Sequence, residues 1–249
     1  MRLHRFYIEE YQGEWGEGAI IIDDSGFVNQ FKNVLRYATG DHFIGFHATG
    51  GEYELEIESI DRKAVVASFV KLLHTRVDAI DASSKNIALY VSLIKKDRFE
   101  WMIEKITELG IKKVVPIISH RTTTKNISLD RLQKISREAI EQSGQMQLVT
   151  IEEPLSLVSI LEKNNGDIFC FHINDTSQLK SIDVDKIIIT ENKKPVAGSV
   201  MQNIFIGPEG GWDENDIALF RKYHAKFVHL NTSVLRTETA AIVAAIKFL

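Results

Sequence analysis

The chain has 249 residues, 44% of them hydrophobic, with a formal charge of −4 and one cysteine, Cys170. This composition excludes a disordered chain and a disulfide-stapled secreted scaffold, and no run approaches the roughly 18 apolar residues of a membrane span. The opening MRLHRFYIEE has no apolar signal core, so a soluble, cytoplasmic protein with no membrane partner is expected.

Residues 1 to about 72 read as β-rich. Short apolar runs occur at Leu3–Ile8 and Ala19–Ile22. Phe43–His47, Gly50-Gly51 and Tyr53–Ile60 make a hairpin signal with a glycine turn. In its second arm Tyr53, Leu55 and Ile57 alternate with Glu52, Glu54, Glu56 and Glu58, which predicts a strand with one wet face. Ala64–Val70 is a further strand. Between them, Val28, Phe31, Val34 and Leu35 recur at helical spacing within Phe27–Tyr37. Several short strands with one helix predict a small barrel. Thr75–Lys85 is polar enough for a linker.

From Asn86 the rhythm becomes strand, helix, strand. Ile87–Leu93 is a buried strand. Asp97 is expected to cap a helix that runs to Leu109 and stops at Gly110. Its apolar face is Phe99, Met102, Ile103, Ile106 and Leu109. Val114–Ile118 is a strand, Ser128–Gln142 a helix and Leu148–Ile151 a short strand. Pro154 is placed to open a helix to about Lys163. Asp167–Ile173 is a strand that buries Cys170 as a small hydrophobe. Lys186–Thr190 reads as an edge strand, and Glu191–Val200 as a polar excursion. The alternation predicts a mostly parallel sheet covered by helices.

Charge is uneven. Met1–Arg76 carries 8 basic and 12 acidic residues, whereas Lys85–Glu138 carries 12 basic and 6 acidic. The basic segment is either a phosphate-facing surface or a solvated helix face. Lys95, Lys96 and Arg98 follow one strand, and His120-Arg121 follows the next. In a parallel sheet both groups reach the carboxyl edge, where open α/β folds bind ligands. That convergence favours the phosphate-facing reading.

Ile204–Ala245 holds two loops that belong to the same edge. Gly207-Pro208-Glu209-Gly210-Gly211 follows an apolar run and leads to a helix beginning near Trp212-Asp213. Such glycines admit close backbone approach to a ligand, though a tight turn uses the same residues. The loop is neither G-x-G-x-x-G nor a P-loop. Leu230–Thr239 is the second loop and ends in Arg236-Thr237-Glu238. Thr237 or Thr239 would serve as an N-cap, and Glu238 as favourable first-turn charge. Arg236 opposes the helix dipole there, so an anionic substrate explains it better. His172 ends a strand and could line the same pocket. The eight histidines show no metal-ligand spacing, so no metal is expected, and no serine-nucleophile motif is present.

Together these residues resemble the 16S rRNA uridine-N3 methyltransferases of the RsmE type, within the SPOUT class. The resemblance rests on GPEGG and VLRTETA in the last segment, with Val34-Leu35-Arg36 and Gly40-Asp41 early on, Lys105 to Gly110 (KITELG), and Glu141 to Gly144 (EQSG). It implies a small N-terminal PUA-like β-barrel over residues 1–73, for RNA. It also implies a C-terminal SPOUT α/β domain over 74–249 that ends in a trefoil knot, and a homodimer. The implied cofactor is S-adenosyl-L-methionine, held by His172, Ile206, Gly207, Gly210, Gly211, Leu230, Val234 and Leu235. The implied partner is 16S rRNA or the small ribosomal subunit, met by Arg5, Arg36, Lys95, Lys96, Arg98 and Arg121. Arg236 would hold a phosphate or the uracil anion, and Glu238 or Glu209 would take the N3 proton. Departures from the family pattern are Asn231-Thr232-Ser233 where Gly-x-Arg is usual, Gln30 in place of a histidine, and Gln145 in place of an arginine. Methylation of a ribose 2′-hydroxyl, or an rRNA-binding assembly role with weak catalysis, are the alternatives.

Overall fold

The computed structural model describes residues 3–47, 51–75, 86–122, 126–173, 182–184, 186, 201–230 and 233–249. The chain divides into two compact units, residues 1–81 with 140–147, and residues 82–139 with 148–249. The expected polar excursion at Glu191–Val200 lies outside the described residues, as do Ile187–Thr190 of the expected edge strand, residues 76–85 of the linker, and Asn231-Thr232.

The first unit is a mixed sheet of β1 (Arg5–Tyr7), β2 (Ala19–Ile22), β3 (His42–His47), β4 (Gly51–Ile60) and β5 (Val65–His74). The order is β1-β3-β4-β5-β2, with β1 parallel to β3 and the other pairs antiparallel. No ladder joins β1 to β2 among the described residues, so the pairing stays open where the sequence predicts a barrel. Phe6, Phe31, Phe43, Leu55 and Ile57 fill the core. Helix α1 (Ser25–Asn29) starts at Asp24, whose carboxylate accepts from the Phe27 N–H at 2.6 Å. A π turn, Gln30–Val34, follows it. The wider turn breaks the expected helical face. Val28 and Phe31 are buried, but Val34 is 67% exposed. The wet face of β4 is broken too, because Glu52 is buried. Its carboxylate takes the Arg5 Nε at 3.0 Å, as a buried charge requires.

The second unit is an eight-stranded, fully parallel sheet among the described residues. Its strands are β6 (Ile87–Ser92), β7 (Lys113–Ile118), β8 (Thr150–Ile151), β9 (Leu155–Ser156), β10 (Asp167–Phe171), β11 (Ile182–Asp183), β12 (Gln202–Ile206) and β13 (Lys226–His229). They are ordered β11-β13-β10-β12-β6-β7-β8, with β9 also on β7. The helices are α2 (Lys96–Glu108), α3 (Leu129–Ser143), α4 (Leu157–Lys163), α5 (Glu214–Lys222) and α6 (Thr237–Phe248).

Alternation along the strands feeds two cores. Leu89, Val91, Phe169, Ile204 and Ile206 pack with Phe99 and Ile103 of α2, Leu132 of α3 and Ala244 of α6. Cys170, Phe205 and Phe227 face the other way, toward Ile160 of α4 and Ile217 and Phe220 of α5. The sheet is therefore a middle layer. Each large side chain so buried contributes about 1.5–3 kcal/mol.

Local signals differ from expectation in two places. Lys95, not Asp97, occupies the N-cap of α2, and Asp97 lies in its first turn. There its charge suits the dipole. The helix does stop at Gly110, with φ 76°. Pro154 does not open α4. Ser156 does, accepting from the Ser159 N–H at 3.1 Å, because β9 intervenes. No helix among the described residues is long and apolar enough to cross a membrane.

Candidate functional site

A parallel sheet places every carboxyl end on one edge. β13, β10 and β12 are neighbours, and Phe171 pairs with both Ile206 and Val228. The residues that follow these strands open a cleft of about 460 Å³. It is lined by the sequence-predicted His172, Ile206, Gly207, Glu209, Gly211, Leu230, Val234, Leu235 and Arg236. Gly210 and Glu238 do not line it. Sequence reasoning missed Phe171, Ile173, Pro208, Trp212, His229, Ser233, Thr237 and Ala240, which do.

Trp212 explains the shape of the first loop. It is buried, and its Nε1–H donates to the Phe171 carbonyl at 3.1 Å. A Cβ on Gly207 would lie 3.1 Å from that indole, so any side chain here would force the packed ring to give by a few tenths of an ångström. A tryptophan directly after Gly-Gly was the available signal. A bond from the Thr237 hydroxyl to the Gly207 carbonyl at 2.9 Å ties the second loop to the first. Thr237 thus serves tertiary structure and not a cap.

Helix α5 begins with a capping box. The Asp216 N–H donates to Asp213 Oδ1 at 2.8 Å, and the Asp213 N–H to Asp216 Oδ2 at 3.2 Å. Burial, reinforced by the Asp213 charge, holds the Asp216 carboxyl above the usual aspartate range. His120 Nδ1 sits 2.9 Å from Asp213 Oδ2. Helix α6 is different. Arg236 is its N-cap residue, makes no side-chain cap bond, and is exposed at the cleft.

Two guanidinium groups flank the glycine loop. Arg98 Nη1 donates to Glu209 Oε1 at 2.6 Å, and Arg121 Nη1 to the Gly210 carbonyl at 2.6 Å. Arg98 Nε also lies 3.9 Å from Glu238 Oε1. Glu238 is 5% exposed, and its Oε2 has no hydrogen-bond partner among the described residues. Lys95 is exposed, and among the described residues Lys96 pairs with Glu100, at 3.8 Å.

The remaining expected RNA contacts belong to the first unit. Arg36 is exposed, with φ 58°. Arg5 is engaged inside that unit: besides Glu52, it donates to the Ile140 and Gln145 carbonyls and stacks 3.6 Å over Phe46. Its guanidinium is occupied by these contacts. Gln145 contributes its carbonyl to that contact. His172 donates its backbone N–H to the Val228 carbonyl at 2.9 Å and turns Nδ1 to the Ile173 carbonyl. Ser233, where the family pattern has arginine, is exposed at the cleft. No cluster of three or more potential metal ligands occurs among the described residues.

The cleft therefore joins an apolar strand floor, a wall of bare backbone and one exposed guanidinium. It suits a small ligand with an apolar body and an anion near Arg236.

The chain is similar to the ribosomal RNA small subunit methyltransferase E of Rickettsia conorii, at 28% identity over 98% of this chain and 94% of that protein. It is similar to the enzyme of the same name from Bacillus subtilis at 26% identity, over 97% of this chain and 94% of that one. In structure it resembles the ribosomal RNA small subunit methyltransferase E of Neisseria gonorrhoeae bound to S-adenosyl methionine. The TM-score is 0.78 at 25% identity, over 98% of this chain and 96% of that one. Residues 81–248, which include the whole cleft, match the RNA methyltransferase domain, and the chain belongs to that family.

Proposed function

We propose that this protein transfers a methyl group from S-adenosylmethionine to N3 of a uridine in 16S rRNA. The observation that carries the reading is the cleft at the ends of β10, β12 and β13, lined by both the glycine loop and the exposed Arg236. Its volume of about 460 Å³ falls among small-molecule sites. The names of the relatives, and the cofactor bound to the N. gonorrhoeae protein, support it.

The residues present fit the cofactor. The bare backbone at Gly207, held over Trp212, admits close contact, and Gly211 continues that wall. Gly210 shapes the turn from outside the lining. Ile206, Leu230, Val234 and Leu235 offer apolar surface to an adenine, and His172 closes one end. Bound there, S-adenosylmethionine supplies an already activated methyl group. The protein's part is then to position the acceptor and manage one proton.

N3 of uracil carries that proton on its pairing edge, so the target base must be unpaired or turned out. Arg236, exposed at the cleft, stabilises the uracil anion or an adjacent phosphate. Glu209, which lines the cleft, or Glu238, which is buried and does not, accepts the proton. Lys95 and Lys96 on one unit and Arg36 on the other present charge to RNA. The first unit, an open mixed sheet, acts on this reading as a PUA-like RNA-binding module. The trefoil knot that the resemblance implies belongs to the same reading. The reading also carries a homodimer working in the cytoplasm.

Nucleoside mass spectrometry of 16S rRNA, from strains with and without the gene, tests the proposal. Loss of one N3-methyluridine, restored by complementation, is expected. Loss of a 2′-O-methyl instead would move the acceptor to ribose. Unchanged rRNA, with no calorimetric binding of S-adenosylmethionine, would favour an assembly factor.

A further inference from the structure

We infer that Arg98 positions the cofactor wall and is not an RNA contact, an inference that rests on the function proposed above. A loop of three glycines among five residues has little side-chain packing of its own, and glycine loses more freedom on ordering than any other residue. Something outside the loop must hold it. Arg98, in the first turn of α2, does so through a short charge-assisted bond to Glu209. The same guanidinium is the cation within ion-pair reach of Glu238 in the first turn of α6, among the described residues. One side chain thus joins α2 to the glycine loop and to the helix that follows the second loop. With two carboxylates against it, its charge is already compensated. An RNA phosphate would have to displace Glu209 at 2.6 Å. Lys96, two residues earlier, contrasts with it: its side chain is 68% exposed, and its partner lies 3.8 Å away.

Two measurements separate the roles, beginning with calorimetry of S-adenosylmethionine without RNA. Arg98→Gln is expected to raise its Kd roughly tenfold, the size of a lost charge-assisted hydrogen bond. Lys96→Gln is expected to leave that Kd unchanged and to weaken binding of a 16S rRNA fragment. Glu209→Gln combined with Arg98→Gln should be no worse than Arg98→Gln alone, because both remove one pair. Should Arg98→Gln fail to fold, with Glu238 stranded in the interior, Arg98→Gln with Glu238→Gln removes that charge and should still bind the cofactor weakly.

The second measurement is hydrogen exchange of amides 209–211 without any ligand. It should be faster in the Arg98→Gln protein. Wild-type cofactor affinity and exchange with lost RNA affinity would overturn the inference. A wild-type protein that binds no S-adenosylmethionine would instead sink the proposed function, and exchange alone would then decide whether Arg98 braces the loop.

Discussion

Two loops enter two helices at the same sheet edge, and they do so by opposite rules. The first reaches α5 through Asp213 and Asp216, which cap each other's backbone and are both buried. The second reaches α6 through Arg236, which caps nothing and is exposed. A serine or aspartate at an N-cap is worth roughly 0.5–2 kcal/mol, and a cation there opposes the helix dipole. The first junction is thus built for rigidity, and the second forgoes stability to keep a guanidinium at the cleft. Local rules fail most tellingly at functional sites.

The largest expected effect tests that contrast directly. Arg236→Ala should slow methylation at least ~100-fold, the scale for losing a preorganised charge in a transition state. Cofactor affinity should change little. Arg236→Ser should be equally inactive yet more stable, with Tm higher by roughly 2–4 °C per kcal/mol of restored capping. Paired rate and melting measurements check it. A serine variant that is active, or no more stable than wild type, breaks the comparison at its functional end.

Next in size is Gly207→Ala. Its methyl would sit 3.1 Å from the indole of Trp212, which is buried and bonded to the Phe171 carbonyl, so ring or loop must shift by a few tenths of an ångström. An affinity for S-adenosylmethionine about tenfold weaker is expected, equivalent to about 1.4 kcal/mol, with little change in RNA binding. Equal affinity in calorimetry would mean the wall is not the cofactor surface.

Asp213→Ala addresses the rigid junction. It removes the cap and the contact to His120, and about 1 kcal/mol of stability should go with it. Tm should fall by roughly 2–4 °C, while the rate per folded molecule stays within about twofold of wild type, a helix cap being remote from transition-state charge. A rate loss rivalling that of Arg236→Ala would erase the distinction between the two junctions.

Much of this edge was legible in the sequence, and what was not shares a cause. The glycine loop, the Arg-Thr-Glu triplet and the strand rhythm are local signals, carried by residues a few positions apart. The partners of Arg98 and Arg121 lie 111 and 89 residues away, beyond the reach of any local pattern. The Arg5 pair is hidden for the same reason, since its acceptor Glu52, 47 residues away, sits in a strand whose alternation predicts a wet face. The π turn at Gln30–Val34 escaped because its residues satisfy helical spacing until Val34 is carried outward. Ser156 was overlooked because Pro154 is the stronger local signal for a helix start, and the two-residue strand β9 between them has no periodicity to read.

The smallest expected effect probes what the rigid junction gives up for its geometry. Burial and the neighbouring Asp213 hold the Asp216 carboxyl above its ordinary range. An acid whose pKa is raised on folding binds its proton more tightly in the folded state. Its contribution to stability is therefore full below the unfolded value of about 4 and is lost as pH rises through the folded value. Asp216→Asn keeps an oxygen to accept the Asp213 N–H and cannot ionise. Its Tm relative to wild type should climb between pH 4 and pH 7, while Asp213→Ala, which removes the charge raising Asp216, should flatten that trend. A difference that falls with pH would mean that the helix dipole at α5 outweighs burial, and that the capping box stabilises the charged carboxylate after all.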